Sequence, residues 1–275
     1  MARKKQLIIP VFIPFGGCPS ICVFCDQKSV TGVEALPSKD EVAAIVEKYL
    51  STWTRGTHAK HGSGKKEIAF YGGSFTGLPE GVMEGYLATA FEFKRSGRID
   101  SIRVSTRPDL IDDSICGTLK RYGVETVELG AQSMDDIVLR LSARGHGAAD
   151  TIKAVETLKS LSFNVVIQLM PGLPGDDEST IIESAVKAAK LRPDAARLYP
   201  TVVVKGTKLH EMYLKGEYEP WALPAMIRAL KKVMDVFEKE GIPVIRVGLP
   251  NSKEFGDNVV AGPYHPSLRD LIKTA

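Results

Sequence analysis

Residues 7–25 read Leu7-Ile-Ile-Pro-Val-Phe-Ile-Pro14-Phe-Gly-Gly17-Cys18-Pro-Ser-Ile-Cys22-Val-Phe24-Cys25, an apolar strand candidate (Leu7–Pro14) running straight into a loop with three cysteines in eight residues. The same pattern, strand then loop then amphipathic helix, recurs down the chain. Further strands are predicted at Glu67–Tyr71, Ser101–Ser105, Thr126–Gly130, Asn164–Met170 and Ala196–Val203. Helices are predicted at Lys39–Ser51, Pro79–Arg95, Ile111–Tyr122, Met134–Ser160 (broken at Gly145 and Gly147), Glu178–Leu191 and Gly206–Leu214. Ser38 or Asp40 suits the N-cap of the first helix, and Asp112 and Asp113 suit the start of the third. Six strand–helix steps result. Short, nearly unbroken apolar strands between helices imply a parallel sheet covered on both faces, either closed or part-closed into a barrel or left open. Beyond these steps, Trp221–Lys239 reads as a long helix and Pro243–Gly248 as another strand. The expected fold is a partial (β/α)6 TIM-like barrel over residues 1–205, with an α/β extension, residues 206–275, packed on the same domain.

The unusual residues fall after the strands. Cys18–Cys25 follows the first, Gly72 and Gly73 the second, Arg107 the third, Gln132 the fourth and Gly172–Gly175 the fifth. Ligands of parallel barrels and open α/β sheets bind at the carboxyl edge of the strands. Five such loops in succession point to one site.

Composition sets bounds on the rest. With 44% hydrophobic and 25% charged residues, the chain can fill a sizeable core. A net charge of +3 is too mild to argue for nucleic acid by itself. The charge is uneven, however: Arg3, Lys4 and Lys5 open the chain, and Arg55, Lys60, Lys65 and Lys66 share a polar loop with His58 and His61. No window reaches the ~18 uncharged apolar residues of a membrane span, and the first apolar run leads into cysteines rather than a cleavage site, so a cytoplasmic protein without membrane contact is expected.

Clustered cysteines in such a chain argue for metal rather than a disulfide framework, which spreads its cysteines to close long loops. Cys18, Cys22 and Cys25 are spaced to turn three thiolates inward from one loop. Iron–sulfur clusters usually take four cysteines. The fourth here, Cys116, sits on the apolar face of a predicted helix and reads as packing. Three ligands leave one iron open to a substrate or cofactor. Zinc stays open as a rival, with His58, His61 or Cys116 completing four ligands, as does a non-catalytic metal-binding scaffold.

Cys18-x3-Cys22-x2-Cys25 after a first strand, with Phe24 before the last cysteine, resembles the signature of the radical S-adenosylmethionine (SAM) superfamily. The resemblance implies a [4Fe–4S] cluster on these three cysteines whose open iron is chelated by SAM. An electron from a donor such as ferredoxin or flavodoxin then cleaves SAM to methionine and a 5′-deoxyadenosyl radical. Gly72-Gly73-Ser74 resembles the family's Gly-Gly-Glu segment, whose backbone meets the methionine amino group, with Ser74 standing in place of the Glu. By the same resemblance Ser105 and Arg107 lie where the family contacts ribose and carboxylate. Gln132, Arg144 and Gln168 are similar in position to polar SAM contacts of oxygen-independent coproporphyrinogen oxidase.

Within the superfamily the wording is similar to the radical SAM domain of the Elongator catalytic subunit. The similar segments are Ser29-Val-Thr-Gly32, Phe70-Tyr71-Gly-Gly-Ser-Phe75, Glu128-Leu-Gly-Ala-Gln132-Ser133 and Leu198-Tyr-Pro-Thr-Val-Val-Val-Lys-Gly-Thr207, on to Gly216-Glu-Tyr218. Two departures stand out: the compact first cysteine spacing, and 275 residues that leave no room for the Elongator acetyltransferase domain. The resemblance implies RNA, and tRNA in particular, as substrate. A small-molecule or porphyrin-like substrate is the alternative.

Overall fold

The computed structural model describes residues 6–26, 35–55 and 64–275, apart from the side chains of residues 54 and 55. The basic opening Arg3–Lys5, the segment Ser29–Gly32, the Arg55 side chain, and His58, Lys60 and His61 lie outside the described residues.

Seven parallel strands form one sheet: β1 (Leu7–Ile13), β2 (Lys66–Gly72), β3 (Ser101–Thr106), β4 (Val124–Gln132), β5 (Asn164–Leu169), β6 (Ala195–Leu198) and β8 (Val244–Val247), neighbours in that order. The small β7 (Val203–Val204) pairs antiparallel with β9 (Val259–Ala261) beside the main sheet. Helices α1 (Lys39–Arg55), α2 (Glu80–Arg95), α3 (Asp113–Arg121), α4 (Asp136–Leu141), α5 (Ala148–Ser160) and α6 (Glu178–Lys190) fill the connections as far as β6. Then come α7 (Lys208–Leu214), α8 (Leu223–Lys239), α9 (Lys253–Asn258) and α10 (Leu268–Thr274).

Local chemistry explains the boundaries. Ser38, not Asp40, caps α1: its hydroxyl accepts from Glu41 N (3.2 Å), and the Glu41 carboxylate accepts from Ser38 N (2.7 Å). This reciprocal pair satisfies two otherwise orphaned donors, while Asp40 sits in the first turn, where the helix dipole favours acid. Asp112 caps α3 and Asp135 caps α4 through side-chain oxygens on the first free amides.

Two expectations need correction, and one expected strand finds its place. The run Ala196–Val203 is not one strand: β6 stops at Leu198, and Val203 belongs to the separate ribbon. The strand expected at Pro243–Gly248 is present as β8 and joins the sheet beside β6. And the sheet is not apolar on both faces. Ile68 and Phe70, Ile102 and Val104, Val127 and Leu129, and Val165 and Ile167 face the helices in one continuous core. The alternate positions turn inward and are mostly polar: Glu67 and Tyr71, Arg103 and Ser105, Glu128, Gln168 and Arg197, with Ala69 and Val166 among them. Side chains of a strand alternate between faces, so a curled sheet with helices outside needs only one apolar face.

The curl is visible in a single contact. Arg197 Nη2 on β6 donates to Tyr71 Oη on β2 at 3.0 Å, although three strands separate them in the sheet. Only a sheet bent into a part-barrel brings these side chains together across a lumen.

Candidate active site

The cysteine loop leaves β1 at the carboxyl edge and is fastened to the loop after β2 chiefly through backbone. Gly16 N and Gly73 N both donate to Ile13 O (3.0 and 2.9 Å), and Ser74 N donates to Gly16 O (2.7 Å). The approach is too close for side chains: a Cβ on Gly73 would lie 2.1 Å from Gly16 O, and one on Gly17 would lie 2.1 Å from Ser74 O. Gly72 adopts φ 106°, a conformation that favours glycine. The amides of Gly73 and Ser74 are thus committed to this joint. A ligand's amino group, being a donor, would in any case address carbonyl oxygens.

Two buried arginines hold the same loop from the other side. Arg107, just past β3, donates through Nη1 to Ser20 Oγ (3.1 Å) and is itself fixed by Asp109, which accepts from Nε and Nη2 (2.9 and 2.8 Å). Arg144, in the turn between α4 and α5, donates through Nη1 to Cys22 Sγ (3.1 Å) and through Nη2 to Gly130 O. It does not pair with Asp135, whose carboxylate caps α4. Ser142 O also accepts from Val23 N at 3.2 Å. Nearby His146 is buried; desolvation first, and the Arg144 charge second, push its pKa down to about 4, so it adds no charge here at neutral pH.

The remaining expected residues lie close by. Cys18 Sγ is 3.4 Å from Ser74 Oγ. Gln132 ends β4 at φ 68°, and its Oε1 accepts from Gln168 Nε2 on β5 at 3.0 Å. A Cβ on Gly130 would crowd the Gln132 side chain at 2.8 Å. Phe24 packs between two small clusters, one with Val203, Leu209 and Tyr218 and one with Val138, Met170 and Leu173. Cys116 is fully buried in the main core, where desolvation pushes its thiol up to about 11. It takes no part in the cysteine loop.

The residues fit the cofactors that the cysteine pattern implies. Ser105 Oγ and Arg144 Nε are buried at the carboxyl edge with no hydrogen-bond partner among the described residues, as contacts awaiting a polar ligand would be. Among the described residues no three His, Cys, Asp or Glu side chains converge on a single point as one metal ion requires. A cubane makes no such demand, since each thiolate takes a different iron.

Sequence reasoning missed the lumen. Arg103 lies between Glu67 (Nη2 2.9 Å) and Glu128 (Nη1 3.5 Å), and Arg197 Nε is 3.2 Å from the same Glu128 oxygen. Arg197 also donates to Tyr199 Oη and Tyr71 Oη, each at 3.0 Å. Burial opposes the charge on Arg197, but Glu128 and the two phenols outweigh it and hold the guanidinium above its ordinary value. The alternation in Ser101-Ile-Arg-Val-Ser105, and Glu67 and Tyr71 at matching alternate positions of β2, were the available signal.

A barrel with its helices outside, a polar lumen and a three-cysteine loop at its carboxyl mouth defines a cofactor enzyme of the radical type, and the chain belongs to the radical SAM superfamily. That family matches residues 12–188, and the Radical SAM C-terminal domain matches residues 193–275. The chain is similar to an uncharacterized protein of Methanocaldococcus jannaschii, 32% identical over 231 residues, covering 78% of this chain and 68% of that one. It is also similar to the tRNA uridine(34) acetyltransferase of the same organism, 32% identical over 145 residues, covering 52% of this chain but only 27% of that protein. Among solved structures, Elp3 of Methanocaldococcus infernus superimposes with a TM-score of 0.73 at 21% identity, over 98% of this chain and 62% of that one, and shares the fold. No described helix is long and apolar enough to cross a membrane.

Proposed function

We propose that Cys18, Cys22 and Cys25 hold a [4Fe–4S] cluster and that the enzyme uses it, with SAM, to begin radical modification of tRNA in the cytoplasm. The observation that carries this reading is the loop itself: three thiols at the barrel mouth, fastened by backbone to the loop after β2 and by Arg107 and Arg144 to those after β3 and β4. When bound, the cluster and SAM supply a one-electron cleavage that yields a carbon radical able to abstract hydrogen. The chain's part is positioning. Arg144 donates to the Cys22 sulfur, and such hydrogen bonds tune a cluster. Ser105, Gln132 and Gln168 offer neutral polar contacts to ribose hydroxyls, and the packed mouth around Phe24 limits water. The electron comes from an external carrier such as ferredoxin or flavodoxin.

Support for tRNA comes from the relatives' names and from the basic segment that enters β2. Of that segment, Lys65 lies at the amino edge, opposite the mouth, and pairs with Glu125 at 3.2 Å. On this reading that edge would meet a distant part of a large RNA rather than deliver a base. The test is anaerobic reconstitution with iron and sulfide, followed by measurement of 5′-deoxyadenosine and of tRNA binding against salt. Changing Arg55, Lys60, Lys65 and Lys66 to Ala should lower the salt slope by about one for each phosphate no longer gripped. A reconstituted protein that never cleaves SAM overturns the chemistry; one that cleaves SAM but ignores tRNA overturns only the substrate.

A further inference from the structure

The lumen holds two phenols whose oxygens are occupied and whose protons are not. Tyr71 Oη accepts from Arg197 Nη2 and Tyr199 Oη accepts from Arg197 Nη1, both at 3.0 Å. These nitrogens are the two tips of one planar fork, so the guanidinium fixes both phenol oxygens side by side. Burial raises both phenols above their ordinary values, so each keeps its proton at neutral pH. A hydroxyl that accepts from a cation must send its hydrogen elsewhere, and a buried tyrosine hydroxyl normally finds a partner. Neither phenol donates a hydrogen bond to any described residue, although the Glu128 carboxylate lies near enough to act on both through its charge.

Position and charge add to this. Tyr71 precedes Gly72 at the end of β2, and Tyr199 follows the end of β6, so both lie at the end of the lumen that the cysteine loop covers. Phe24 of that loop and Tyr199 pack against the same cluster of Val138, Met170 and Leu173. Below them the buried charges of Arg103 and Arg197 are balanced by Glu67 and Glu128. The Arg246 guanidinium, 6.0 Å from the Tyr199 ring, adds positive charge with no acidic partner among the described residues.

We propose that Tyr71 and Tyr199, aimed by Arg197, form a two-donor cradle in the lumen that binds a carboxylate or carbonyl oxygen of the substrate. The proposal deepens the radical SAM reading and rests on it for the claim that the bound group faces the radical; the cradle itself belongs to the chain and is testable with or without a cluster. A carboxylate and a uracil carbonyl present the same acceptor, so acetate and uridine serve as separate probes. Saturation-transfer NMR with each probe at millimolar concentration is run on the wild type and on the Tyr71→Phe/Tyr199→Phe double variant, both with and without reconstituted cluster. Phenylalanine preserves the rings, and an unchanged urea midpoint verifies that the variant folds. The expected result is saturation transfer to at least one probe in the wild type, with affinity at least tenfold weaker in the double variant. The probe that binds identifies the acceptor. Transfer to neither probe in the wild type, or equal transfer in the folded double variant, overturns the cradle. Failure to load iron would instead strike the radical SAM reading and leave the cradle result standing.

Discussion

Replacing Gly73 by alanine separates a glycine pair that merely touches a cofactor from one that joins two loops. The new Cβ would fall 2.1 Å from Gly16 O, 2.6 Å from Gly16 N and 2.7 Å from Ile13 O. All three atoms are backbone, so no side chain can swing aside and the loops must part. Parting them breaks the Gly73 N to Ile13 O and Ser74 N to Gly16 O bonds, at about 0.5–1.5 kcal/mol each. Overpacking adds about 1–3 kcal/mol. The expected loss is therefore about 2–6 kcal/mol, a large part of the roughly 5–15 kcal/mol of a typical domain. Gly117→Ala is the control: it lies inside α3 with nothing within 4 Å of its would-be Cβ, and should gain about 0.5–1 kcal/mol. Urea midpoints measure stability, and iron and sulfide per chain after reconstitution measure the cysteine loop. A Gly73→Ala protein with the wild-type midpoint and full iron content refutes the backbone joint.

Cys22→Ala should abolish cluster assembly and SAM cleavage, while Cys116→Ala leaves iron content intact and costs only stability; one equivalent of zinc that needs Cys116 would contradict the site. Arg144→Gln removes a charge-assisted contact worth about 1.5–3 kcal/mol, so SAM affinity should fall about ten- to a hundredfold. Calorimetry on reconstituted protein checks this, and unchanged affinity would relocate the cofactor. Burial pushes the Asp176 carboxyl up to about 7 from its ordinary 3.8, although Gly172 N donates to it. The folded state therefore holds that proton more tightly than the unfolded state, and the group's contribution falls as pH rises from about 4 to about 7. Asp176→Asn keeps the acceptor for Gly172 N and should remove that slope, so parallel urea-midpoint curves against pH would contradict the burial argument.

The order of elements was legible because most strands carry β-branched or aromatic residues and several helices start at a capping acid or hydroxyl, as at Ser38 and Asp112. The loop clusters were legible from where the glycines and cysteines fall after strands. What stayed hidden depends on curvature. Nothing in the spacing of Tyr71 and Arg197, 126 positions apart, says that they touch; the sheet must bend first. The break after Leu198 was missed because Val202, Val203 and Val204 look like more of the same strand, and only their pairing with the ribbon through Ala261 sets them apart. The roles of Arg107 and Arg144 were partly veiled for a related reason. A sequence shows an arginine at a strand's exit, whereas its grip on Ser20 or Cys22 is a tertiary fact.

The bond between Tyr71 and Arg197 also bears on how wide the barrel is. No ladder joins the end strands β1 and β8 among the described residues, so backbone pairing leaves the calibre of this half-closed tube undetermined. A strut of two side chains spans it instead. Ladder spacing is the same in every sheet, but the length of a strut changes with a single codon. The bore can therefore be narrowed or widened from inside, with the strands and the helices packed on them shifting together, and a scaffold built this way can take guests of different girth without a change in the order of its strands.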